Sequence, residues 1–164
     1  MLQINKILYS TDLSKGAEEA FKYAAFLAKS TDAEIHILHV VEKLSSEAKM
    51  TLETYVMDDS QRKDMLKARK EQAKEKLQQR QDEFWESVPA EDRIVRNKIK
   101  SLEVIESFPM EAILKKSREI SADLIVMGTH EKGFVETFLG SVAKNVLSRS
   151  RIPVLVVPLV KKEI

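Results

Sequence analysis

The chain has 164 residues, 43% of them hydrophobic and 32% charged. That balance excludes a disordered tract, and one compact domain over residues 1–164 follows from the length. Lys and Arg number 27 against 26 Asp and Glu, a formal charge of +1, so the total carries no footprint for nucleic acid or an anionic membrane. With no cysteine, disulfides, thiol catalysis and zinc–thiolate sites are excluded.

Met1 to Lys6 is too short and polar before Ile7 to serve as a signal peptide. No apolar run reaches bilayer-spanning length. A soluble, cytoplasmic protein is expected. Ile4 to Tyr9 predicts a first strand, stopped by the turn and cap formers Ser10-Thr11-Asp12-Leu13-Ser14. Ala17, Ala20, Phe21, Ala24, Leu27 and Ala28 then share one helix face, with Ser14 or Asp12 as its cap. Glu34 to Val41 predicts strand two. Residues 43 to 60 show no clean period and predict an irregular or partly helical lobe. From Gln61 to Val88 a long helix is predicted, with Leu66, Ala73, Leu77, Phe84 and Val88 repeating at seven-and-four spacing. Its apolar seam runs only about three heptads, so a surface helix laid on the sheet is favoured over a coiled coil.

A third, more polar strand is expected within Ile94–Ile105, nearer a sheet edge. Phe108-Pro109 opens a helix lined by Met110, Ile113, Leu114, Ser117 and Ile120, with proline in a permitted first-turn position. Leu124–Met127 predicts strand four and Val154–Val157 strand five. Between them Phe138, Leu139, Val142, Ala143, Val146 and Leu147 form a helical stripe. Gly140 interrupts that stripe, and a helix break there is favoured because Ser141 after it is a good cap. Strands alternating with helices must run parallel through right-handed crossovers. Continuous runs such as Leu124-Ile125-Val126 fit a sheet covered on both faces.

In such a sheet ligands gather at the carboxyl ends of the strands, where strand order reverses. Three segments deliver side chains there: Ser10-Thr11-Asp12, Val40-Val41-Glu42, and Gly128 to Ser141. Asp12 either accepts from an amine or ribose hydroxyl or only caps helix one. Backbone groups at Val40 suit the edge of a base. Gly128 lets main-chain N–H groups approach phosphate, and Gly140-Ser141 restarts a helix whose positive end faces an anion. Alone, Gly128 also reads as a turn glycine, and Lys132 as either a phosphate contact or a solvated side chain. His39, ending a buried strand, reads as a satisfied structural histidine, and His130 as a loop residue; with His36 they are scattered, without metal spacing. No activated nucleophile pair, paired carboxylates at convincing spacing or metal cluster supports an enzyme.

Lys6-Ile7-Leu8-Tyr9-Ser10-Thr11-Asp12, Ile37-Leu38-His39-Val40, Asp123 to His130, Gly140-Ser141-Val142-Ala143 and Pro153 to Val157 together resemble the universal stress protein family over nearly the whole chain. The resemblance implies a three-layer α/β fold of the adenine nucleotide alpha hydrolase-like kind. Its parallel five-stranded sheet has order 3-2-1-4-5 and helices on both faces, with a long helical insertion at about 43–90 here. It also implies an adenine nucleotide, ATP or else AMP or ADP, with Mg or Mn if a triphosphate, and a homodimer through Val154–Val157 acting in stress response. The nucleotide-binding set becomes Ser10, Thr11, Asp12, Val40, Met127, Gly128, His130, Gly133, Gly140, Ser141 and Val142. The family's nucleotide-binding branch carries Gly-x-x-Gly, nine residues, then Gly-Ser or Gly-Thr. Here Gly128 opens the motif and Gly140-Ser141 closes it, and nine residues, Glu131 to Leu139, separate His130 from Gly140. The second glycine is missing, Glu131 follows His130, and Gly133 stands in part for it. Ser107 replaces the glycine usual before the helix proline. These departures motivate the alternative of a nucleotide-free dimeric interaction module of the same fold.

Overall fold

The computed structural model describes residues 1–14, 16–56, 58–129 and 139–159. Five parallel strands, β1 (Lys6–Thr11), β2 (Glu34–Glu42), β3 (Ile99–Ser107), β4 (Leu124–Gly128) and β5 (Val154–Val157), form one sheet in the order β3-β2-β1-β4-β5. The helices are α1 (Ala17–Thr31), α2 (Ser46–Tyr55), α3 (Asp59–Ser87), α4 (Pro109–Glu119) and α5 (Ser141–Arg149). The sheet type and order agree with expectation, with β3 and β5 at the edges.

Alternation along each strand divides the core in two. Ile7, Tyr9, Ile35, Ile37, Val41 and Val126 pack with Phe21 and Ala24 of α1 and with Leu77, Phe84 and Trp85 of α3. Leu8, Leu38, Val40, Ile125 and Met127 pack with Ala112 and Ile113 of α4 and with Ala143 and Val146 of α5. The first face is centred on Phe21, whose ring meets those of Tyr9, Phe84 and Trp85 at centroid distances of 5.0, 4.8 and 5.8 Å. The edge-on contacts with Phe84 and Trp85 are the geometry aromatic quadrupoles favour.

Several boundaries differ from the sequence reading. Neither Ser14 nor Asp12 caps α1: its N-cap is Gly16, with no side-chain cap. Asp12 Oδ1 instead accepts from Ser14 N at 2.9 Å, closing a local turn. Of the span expected to contain strand three, Ile94 to Lys98 belongs to a 3₁₀ helix over Ala90–Lys98, and the strand runs Ile99–Ser107. Ile94 is 69% exposed while Val95 is buried, so the pair packs on one side only. Within the lobe, α2 forms because Ser45 Oγ accepts from Ala48 N at 3.1 Å. Asp58 then caps α3 through Ser60 N at 2.9 Å. On α3 the buried residues are Leu77, Gln81, Phe84 and Trp85, so the stripe is anchored only in its second half; Leu66, Ala73 and Val88 are half-buried.

Candidate functional site

Strand order reverses at β1, which lies between β2 and β4. A cavity of about 500 Å³ opens at the carboxyl ends of these strands, the position where open α/β sheets take ligands. Ser10, Thr11 and Asp12 reach it from β1, Val40 and Glu42 from β2, and Met127 and Gly128 from β4. Gly140, Ser141 and Val142 reach it from the start of α5. Nine of the expected site residues therefore meet in one place. His130 and Gly133, like Glu131 and Lys132, lie outside the described residues.

Three helices present their first residue to the cavity: Ala17 of α1, Pro109 of α4 and Ser141 of α5. Helix amino ends carry bare N–H groups and partial positive charge, which suits an anion. They are not equivalent. None of the three N-cap residues makes a side-chain cap; Glu18 and Glu19 sit in the first turn of α1 and Glu111 in that of α4, whereas α5 has no acidic residue in its first turn. The expected break at Gly140 thus produces, among the described residues, the one of these three amino ends with no acidic side chain in its first turn.

The β1–α1 loop is held by its own side chains. Thr11 Oγ1 accepts from Leu13 N at 3.1 Å, and Leu13 adopts the left-handed conformation at φ 62°. That conformation costs an L-residue about 1–2 kcal/mol; burial of the Leu13 side chain in the α1 core offsets it. Asp12, between the two, is carried to the cavity. Tyr9 lies on the wall with its hydroxyl donating to Ala17 O at 2.9 Å, and burial pushes its phenol well above the ordinary range. His39 Nδ1 is 2.7 Å from Thr11 O. A carbonyl only accepts, so Nδ1 carries the proton. This histidine ties β2 to the end of β1, as its structural reading anticipates.

Among the described residues no three His, Cys, Asp or Glu side chains group as metal ligands. No described helix is long and apolar enough to cross a membrane.

The sequence reading missed Leu159, which lines the cavity just past β5. It also left Tyr9, Ala17 and Pro109 as fold residues only. Helix starts and strand ends are legible signals for the last three once the strand order is known; nothing local marks Leu159.

Residues 3–158 match the model of the universal stress protein family. The chain belongs to that family. As a universal stress protein it is 31% identical over 153 residues to universal stress protein MJ0577 of Methanocaldococcus jannaschii, covering 93% of each chain. It is 32% identical to MJ0531 of the same organism over 164 residues, covering 96% of this chain and 84% of that one. The solved MJ0577 structure superposes with a TM-score of 0.68, at 29% identity over 96% of this chain and 97% of that one. A universal stress protein solved in complex with cAMP superposes at 0.56, with 20% identity and coverage of 97% and 100%, and so shares the fold.

Measured against the family pattern, the motif departs by more than its missing glycine. If Glu131 occupies the second glycine's place, only eight residues, Lys132 to Leu139, precede Gly140. The spacer is then one residue shorter than the pattern's nine, and the count taken from His130 hides this.

Proposed function

We propose that this universal stress protein binds an adenine nucleotide, ATP or its shorter relatives ADP and AMP, in the cavity between β1 and β4. The observation that carries the reading is the cavity at the strand-order reversal, onto which α5 opens with no side-chain cap from Gly140 and no acidic residue in its first turn. In this reading the main chain of Val40 faces the base edge, with Met127 as apolar contact. Asp12 accepts from ribose hydroxyls beside Ser10 and Thr11. Amides at Gly128, Gly140, Ser141 and Val142 face phosphate, with His130 and Gly133 on the connecting segment. The carboxylates of Asp12 and Glu42 suit hydroxyls better than a second anion, which supports placing the sugar toward β1 and β2 and the phosphates toward α5. Mg²⁺ or Mn²⁺ would accompany a triphosphate. Occupancy would then change the shape or partners of a homodimer in a stress response, and hydrolysis, if any, would be slow.

Titration calorimetry with ATP and Mg²⁺ or Mn²⁺ tests the reading, and saturable binding is expected. Gly140→Asp adds bulk and charge at the α5 amino end and should weaken binding by about tenfold or more, since a like charge at a partly buried site costs over 1 kcal/mol. No heat at millimolar nucleotide would remove the proposal, and an unchanged affinity in Gly140→Asp would place the site elsewhere. Glu131 and the short spacer favour the second reading, a nucleotide-free interaction module. Adenine absorbance in gently purified protein separates the two.

A further inference from the structure

The segment following β5 is clamped onto the point where the chain leaves β4. Thr129 N donates to Val157 O at 2.9 Å, and Leu159 N donates back to Thr129 Oγ1 at 3.0 Å. The Leu159 side chain, only 5% exposed, lies against the α-carbon of Gly128. A β-carbon built on Gly128 would come within 2.6–2.8 Å of Leu159 Cδ2, Cδ1 and Cγ, closer than any real contact. Gly128 does not have positive φ. A side chain at this position therefore requires Leu159 to move, since Leu159 fills the space.

We propose that Thr129 and Leu159 form a latch that positions the start of the β4–α5 connection, and through it the phosphate end of the nucleotide site. The proposal rests on the nucleotide reading above. Two hydrogen bonds and one close apolar contact converge on residues 128 and 129, where the chain leaves β4. Leu159 and Gly128 also share the cavity wall, so a shift in the latch is transmitted to the ligand directly. Thr129 and Leu159 are thus positioning residues, and Gly128 is conditioned by Leu159.

Calorimetry of the full chain with ATP and, separately, with adenosine tests this, alongside thermal melts. Thr129→Val removes the side-chain acceptor and should weaken ATP binding about fivefold, the effect of losing one hydrogen bond that fixes a loop, while adenosine affinity stays within about twofold. Thr129→Ser keeps the acceptor and should bind ATP like the wild type. Gly128→Ala should lower the melting temperature, and by less when introduced into Leu159→Ala than into the wild type, because the new methyl then finds room. Unchanged ATP affinity in Thr129→Val, or ATP and adenosine weakened together, overturns the latch while leaving the nucleotide site standing. An equal Gly128→Ala loss in the wild-type and Leu159→Ala backgrounds overturns the steric pairing. A wild type that binds neither ligand overturns the nucleotide reading and the latch's part in it together.

Discussion

His39 is held by the site's frame in one tautomer, with Nδ1 donating to Thr11 O. Burial holds its pKa below the ordinary 6.5, opposed by the hydrogen bond to Thr11 and the nearby Asp12 carboxylate, and assisted by Lys76 of α3. The unfolded chain therefore binds the proton first. Stability attached to this residue is fully present above about pH 6.5 and drains as pH falls below that value toward the lower folded pKa. Melting temperatures taken from about pH 7.5 down to about pH 5 should fall less steeply for His39→Asn than for the wild type. His36, whose Nδ1 meets Ser101 Oγ at 2.8 Å and whose Nε2 lies 3.5 Å from Glu34, is present in both proteins and cancels in the comparison. Parallel slopes would show that His39 titrates as freely in the fold as outside it.

At the scale of elements, α3 shows how far a periodic pattern can be trusted. Its seven-and-four stripe placed a helix correctly within two residues at each end, because Pro89 stops the helix and Asp58 starts it. The pattern did not reveal that full burial begins only at Leu77, with Ala73 half-buried against the core one turn earlier. Phe84→Ala empties a site packed against both Phe21 and Trp85 and should cost about 3–5 kcal/mol. Met65→Ala, at a position 49% exposed, should stay within about 0.5 kcal/mol. Urea titrations followed by the fluorescence of the single tryptophan, Trp85, read both; equal losses would mean that the first half of α3 is anchored too. The break at Gly140 and the strands of Val, Ile and Leu were legible because each is a local signal. The 3₁₀ helix at Ala90–Lys98 was not, since Ile94-Val95 has the composition of a strand start. Nor was the role of Leu159, whose partner Thr129 is 30 residues away and is found only through the β4–β5 pairing.

Over the whole molecule, the same strand order that places the cavity at β1 leaves β5 as an edge. Along β5, Pro153 O accepts from Ile125 N and Val157 O accepts from Thr129 N. Alternation then turns the main-chain groups of Val154 and Val156 away from β4. An unpaired apolar edge of this kind is a template for another strand, and Pro153 and Pro158 limit it to the four residues between them. A second copy offering its own β5 would satisfy those groups in a self-complementary interface, as twofold dimers do. Sedimentation equilibrium at micromolar protein should therefore give twice the chain mass of 18.7 kDa. Val156→Pro removes an outward N–H without touching the bonds to β4, so it should shift the mass toward the single chain while far-UV circular dichroism keeps its helical signal. A wild type of single-chain mass would rule out pairing through β5, and with it the idea that nucleotide occupancy acts by reshaping a dimer built on that edge.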